Sequence, residues 1–107
     1  MLAKVKYTMG ADPNTRLSRM FGVYDKEQGL DLRGTFIISP DGKLMNSEVN
    51  FFNLGRSIEE ILRKVKANIY LSSHPAEGCP AKWRQEGDKT LQPSAKMVGK
   101  VSEAYNA

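Results

Sequence analysis

A chain of 107 residues has room for one small domain and for no second core, because a domain of this size buries only about two-thirds of its unfolded surface. With 40% hydrophobic and 26% charged residues the composition is that of a globular protein, and no apolar stretch approaches the ~20 residues that cross a bilayer. The 16 Lys and Arg against 12 Asp and Glu leave a net +4, but the signs are interspersed and make no basic face for nucleic acid; one cysteine, Cys79, and one histidine, His74, exclude an intrachain disulfide and a zinc site of ordinary ligand count. The opening MLAKVKYTMG carries charge where a signal peptide would be apolar, so the expected compartment is the cytoplasm.

In chain order, residues 5–9 form a candidate short strand. Asp12-Pro13 reads as a helix start, with Asp12 capping free amides and Pro13 at the first helical position; Leu17, Met20 and Phe21 share a face and Gly22 ends the helix. Residues 24–29 are a charged connection broken by Gly29. The apolar run 34–39, the turn Pro40-Asp41-Gly42 and the run 43–51 predict a β-hairpin: proline presets φ at the first turn position and glycine supplies a positive one.

Ser57-Ile58-Glu59-Glu60 is a capping box, in which Ser57 accepts from the Glu60 amide and the Glu60 carboxylate reaches back to the Ser57 amide. Ile58, Ile61, Leu62, Val65 and Ile69 continue at helical spacing, with Glu59/Arg63 and Glu60/Lys64 as i,i+4 pairs, which predicts a helix over 58–71. Pro75, Gly78, Pro80, Gly87 and Pro93 make the following stretch an irregular tail that must lie on something to be ordered, and a short helix resumes over 95–104.

On its residues alone, Cys79 reads either as an inert small hydrophobe or as an accessible loop thiol set between Gly78 and Pro80. The passage His74-Pro75-Ala76-Glu77-Gly78-Cys79-Pro80-Ala81-Lys82-Trp83 resembles the segment around the resolving cysteine of typical two-cysteine peroxiredoxins, with its Cys-Pro-Ala-x-Trp motif. Gly29-Leu30-Asp31-Leu32-Arg33-Gly34-Thr35-Phe36-Ile37-Ile38 is similar to the family's segment carrying the active-site arginine, and Gly55-Arg56-Ser57 to the opening of its last core helix. Asp12-Pro13, Pro40-Asp41-Gly42 and Lys89-Thr90-Leu91-Gln92-Pro93-Ser94 extend the resemblance over residues 1–100.

That resemblance implies an α/β chain: the C-terminal half of a thioredoxin-like fold over residues 1–73, followed by an arm over 74–107. It also implies thiol-dependent peroxide reduction, with Cys79 as resolving thiol and with Arg33 and Arg56 stabilising the reacting sulfur and peroxide oxygen. No metal or organic cofactor enters that cycle. The implied partners are a hydroperoxide substrate, a thioredoxin-like or flavoprotein dithiol reductant, further copies in a homodimer or larger oligomer, and an N-terminal half in trans. The family's peroxidatic Pro-x-x-x-Thr/Ser-x-x-Cys motif is absent from this sequence, so the isolated chain is expected not to turn over peroxide. The two central strands of the family's sheet have no match either, which should leave residues 5–9 without a neighbour. The alternative is a non-catalytic complementing half or thiol adaptor. His74 reads as a solvated loop histidine, Tyr7 and Trp83 as packing residues, and Met1, Met9, Met20, Met45 and Met97 as core or terminus filler.

Overall fold

The structure is a computed structural model and describes residues 5–106. Residues 5–9 are not a strand: they run as exposed, irregular chain. A strand is stable only where its backbone groups are paired, and both sheets among the described residues are two-stranded hairpins that lie elsewhere in the chain. Tyr7, expected to pack, is 72% exposed for the same reason.

The first helix starts later than its cap residue suggested. Residues 12–15 make a turn closed by the Thr15 amide donating to Asp12 O at 3.0 Å, Thr15 takes a left-handed φ of 60°, and helix α1 spans Arg16–Met20. Asp12 nevertheless serves the free amides, its carboxylate accepting from the backbone of Leu17 (3.1 Å) and Ser18 (2.9 Å). The buried Ser18 hydroxyl is shared between Asp12 Oδ2 (2.7 Å) and Asp31 Oδ2 (2.8 Å), which ties the helix to the next hairpin. These bonds, with the Ser18 hydroxyl foremost, hold the Asp12 carboxyl below its ordinary range. Of the expected apolar face, Leu17 and Met20 stay exposed, and Phe21 packs against Phe36 with ring centroids 4.5 Å apart and planes tilted by 39°.

The charged connection contains a small antiparallel hairpin, β1 (Tyr24–Asp25) and β2 (Leu30–Asp31). Asp25 Oδ1 accepts from the Glu27 and Gln28 amides, and Gly29 closes the turn at φ 66°. Strand β3 (Arg33–Ile38) pairs antiparallel with β4 (Leu44–Asn50), from Arg33 opposite Asn50 to Ile37 opposite Asn46, with a register shift before Ile38. The turn is the expected one: Gly42, at φ 89°, donates to Ser39 O at 2.9 Å, and the Ser39 hydroxyl bonds Asp41. Gly34 is required where it stands, because a Cβ there would meet Val23 Cγ1 at 2.8 Å.

Helix α2 spans Ile58–Ser72, and Ser57 caps it by accepting from the Glu60 amide at 3.3 Å. The second bond of the expected box is not made. Glu60 turns outward and accepts from Arg63 Nε (2.9 Å) and Nη2 (2.8 Å), an i,i+3 fork that replaces the expected Glu59/Arg63 partnership. The helix meets the hairpin where Asn68 Nδ2 donates to Asn46 Oδ1 at 2.5 Å, beside an apolar groove lined by Ile37, Ile38, Met45, Val65 and Ile69. Ile58, Leu62 and Ile69 remain exposed.

The tail doubles back, with Gly78 and Leu91 exchanging antiparallel backbone bonds of 2.6 and 2.9 Å. The helix expected over 95–104 is divided by Gly99 at φ 78° into a 3₁₀ turn, Ala95–Met97, and helix α3, Val101–Asn106. Among the described residues only Val23, Trp83 and Ser18 are buried. Met9, Met20 and Met45 are exposed rather than filling a core, Met97 is half-buried, and Met1 lies outside the described residues. The radius of gyration is 17.9 Å, against about 13 Å for a compact domain of this length, and the principal extents are 50 × 31 × 29 Å.

Candidate functional site

Cys79 lies where the irregular arm folds onto α2. Trp83, four residues on, is 2% exposed and anchors this contact, its ring 5.6 Å from that of Tyr70; Arg63 Nη1 donates to Trp83 O at 3.3 Å. Trp83 is thus a packing residue as expected, although its indole N–H has no partner. Before Cys79, the Glu77 carboxylate accepts from Tyr70 Oη (2.9 Å) on α2 and from Thr90 Oγ1 (2.5 Å) on the returning chain. The proline-rich segment is therefore ordered by one aromatic anchor behind the thiol and one carboxylate in front of it.

The electrostatics follow from this packing. Cys79 is a free, half-buried thiol, and its pKa is raised by burial first and by the Glu77 charge second, while the Arg63 guanidinium pulls the other way. Glu77 is held below the ordinary glutamate range by its bonds from Thr90 and then Tyr70. Tyr70 is raised by burial and then by its bond to Glu77. A thiol kept protonated is a poor first nucleophile toward a peroxide.

His74 is not the solvated loop histidine expected. Its ring stacks on Tyr70 with centroids 4.0 Å apart and planes 8° from parallel, and Nδ1 lies 2.9 Å from Tyr70 O. The i,i+4 spacing from Tyr70 across the helix end was visible in the sequence, but the stack needs the chain to stay curled after Ser73. Glu77 and Tyr70, and Arg63 beyond its expected pairing within the helix, have no site role legible in the sequence, because each acquires it only when the arm docks.

Strand β3 carries Arg33 and receives Arg56. Arg56 Nε donates to Thr35 Oγ1 at 2.8 Å and Nη2 to Gly34 O at 3.0 Å, fastening the residue before the α2 cap to β3. Arg33 lies two residues before Thr35 in the same strand, so the Arg33 and Thr35 side chains leave one face of β3 about 7 Å apart. Both arginines are exposed. The charged groups that shift the Cys79 thiol are Glu77 and Arg63, and neither Arg33 nor Arg56 is among them. Among the described residues no group of three or more His, Cys, Asp or Glu side chains could hold a metal ion, and no helix is long and apolar enough to cross a membrane.

Known proteins resemble this chain in both sequence and fold. Residues 2–47 match the model of the AhpC/TSA family. Over 100 residues, 94% of this chain, the sequence is 47% identical to alkyl hydroperoxide reductase C of Staphylococcus saprophyticus and 45% identical to that of Staphylococcus epidermidis. The chain spans about half the length of these curated relatives, 52% of each. Among solved structures, Enterococcus faecalis AhpC superposes with a TM-score of 0.61 at 41% identity, covering 65% of this chain and 42% of that one. The reduced two-cysteine peroxiredoxin of Plasmodium vivax superposes at 0.69 and 27%, covering 81% and 46%. The hairpin, capped helix and irregular arm are thus part of a thioredoxin-like peroxiredoxin fold.

Proposed function

This chain belongs to the AhpC/TSA family of peroxiredoxins, and we propose that it serves thiol-dependent peroxide reduction by supplying Cys79 as the resolving thiol and Arg33 with Arg56 as the charge-stabilising pair. One observation carries the reading: over 100 residues, 94% of its length, the chain is 47% identical to a protein named alkyl hydroperoxide reductase C. Burial raises the pKa of the Cys79 thiol, which disfavours it as the nucleophile that opens the peroxide.

In this reading, a thiolate on another chain attacks the peroxide O–O bond, keeps one oxygen as a sulfenic acid and releases an alcohol or water. The arginine pair stabilises the charge that develops on sulfur and oxygen. The Cys79 sulfur then attacks the sulfenic sulfur; the S–S bond forms and the hydroxyl leaves with the thiol proton as water. A thioredoxin-like or flavoprotein dithiol supplies two electrons to reopen the disulfide. No metal or organic cofactor of this chain takes part. The reading divides the chain into a core portion, 1–73, and an arm, 74–107, and places it in the cytoplasm, where thiol reductants keep a lone cysteine reduced.

The test is peroxide consumption coupled to a dithiol reductant. The chain alone should give the background rate, and adding a relative's chain that keeps its peroxidatic cysteine but lacks its resolving one should restore turnover. Turnover by the chain alone that vanishes in Cys79→Ser would overturn the assignment. The exposed apolar residues on α2 and β4 favour the complementing-half reading as the form in which this contribution is made.

A further inference from the structure

Glu77 occupies a junction of three segments. It precedes Cys79 by two residues, and its carboxylate binds both the last turn of α2, through Tyr70 Oη at 2.9 Å, and the returning chain, through Thr90 Oγ1 at 2.5 Å. The backbone exchange between Gly78 and Leu91 continues the second contact, so the residue adjoining the thiol is paired as well. On the far side the next tie to α2 is the Arg63 bond to Trp83 O. Cys79 is therefore strung on a short span held at its near end by the Glu77 carboxylate and the Gly78–Leu91 backbone pair, and at its far end by Trp83.

We propose that Glu77 is a positioning residue for Cys79: by accepting at once from Tyr70 and Thr90 it keeps the thiol half-buried against α2, and removing those bonds frees the thiol to reach a partner sulfur. The inference rests on the reading of Cys79 as a resolving thiol, yet its test reads the thiol directly and needs no peroxide. Two donors on one acidic oxygen make a charge-assisted junction, stronger than a neutral pair, on a stretch whose Pro75, Gly78 and Pro80 give it no regular ladder of its own. The charged or titratable groups around it are His74 and Tyr70 on the helix side, with Cys79 and Arg63 beyond.

The experiment measures Cys79 alkylation by iodoacetamide, a neutral reagent, at fixed pH in the full chain. Thr90→Val removes one bond without changing any charge and should speed alkylation about fivefold; Tyr70→Phe removes the other bond from a different element and should do likewise. Glu77→Gln removes the acceptor charge and should exceed both. Thr90→Ser keeps the hydroxyl and should return the rate to that of the parent, which a role confined to packing of the threonine methyl would not produce. Rates for Thr90→Val and Tyr70→Phe within twofold of the parent, with α2 helicity by circular dichroism unchanged, would overturn the proposal, as would Thr90→Ser reacting as fast as Thr90→Val. A failure to form a peroxide-dependent disulfide through Cys79 would count against the resolving role alone and leave these rates standing.

Discussion

At the scale of the residue, the chemistry of Cys79 is decided by a contest between burial and one cation. Burial and the Glu77 charge raise its pKa above the reference value of 9.0, and Arg63 opposes them. Arg63 is itself 82% removed from solvent at the side chain and forked onto Glu60, so its charge stands still beside the thiol. Arg63→Gln should therefore move the midpoint of a thiol-alkylation pH profile upward and slow the reaction at neutral pH; a midpoint that does not rise would show that the Arg63 charge does not oppose the shift. The same shift has a stability consequence. Between the ordinary and the raised pKa the folded chain keeps a proton that the unfolded chain has lost, so the advantage is complete below about pH 9 and disappears as pH rises through the folded value. Subtracting the unfolding free energy of Cys79→Ser from that of the parent should give a flat line below pH 9 that declines above it. The two arginines should separate in a parallel experiment. Arg56→Ala loses bonds to Gly34 O and Thr35 Oγ1 and should cost about 1 kcal/mol by denaturant titration, whereas the exposed Arg33→Ala should leave stability within about 0.5 kcal/mol. Loss of peroxide-linked activity on complementation should be larger for Arg33→Ala.

At the scale of the element, α2 has no fully buried residue, so its cap contributes a sizeable share of what holds it. Ser57→Ala should lower stability by about 1 kcal/mol and reduce helicity at 222 nm; an unchanged helix would mean that the Glu60 amide finds water at no cost. Glu60 acts through Arg63, and its carboxyl is held below the ordinary range by that bond first. A depressed folded pKa means stability that is present above the unfolded value near 4.5 and lost as pH falls through the folded one, so Glu60→Gln should flatten the acid side of the stability profile. Legibility in the sequence follows the range of the interactions. The β3–β4 hairpin and α2 were readable because Pro40-Asp41-Gly42 and Ser57 act on amides within four residues. The β1–β2 hairpin was missed although Asp25 and Gly29 carry its turn, because two-residue strands leave no alternation to detect. Residues 5–9 have strand-like composition but no partner strand among the described residues, and pairing is not a property of a single segment. At the site, Cys79, Arg33 and Arg56 were reached through a resemblance to a family, while Glu77, Tyr70 and Arg63 matter through the docking of residues distant in the chain.

At the scale of the whole molecule, three buried residues and an elongated shape leave little to offset the entropy of ordering 102 described residues. Thermal unfolding of the isolated chain should accordingly be broad, and a complementing chain that binds only the folded form should sharpen it and raise the midpoint. A sharp transition that does not respond to the added chain would mean that these residues make a self-sufficient fold. The outer edge of β4 is unpaired among the described residues and is open to a second copy; sedimentation at tens of micromolar should show self-association, weakened by Val49→Pro, which removes a backbone donor. The central claim is that Cys79 resolves a sulfenic acid formed on another chain. Its most direct test is intact-mass analysis after one equivalent of hydroperoxide is added to a mixture of this chain with a relative that retains only its peroxidatic cysteine. The expected product is a disulfide-linked heterodimer through Cys79, dependent on peroxide and absent with Cys79→Ser. Unlinked chains, with the relative's cysteine held as sulfenic or higher acid beside a free Cys79, would contradict it.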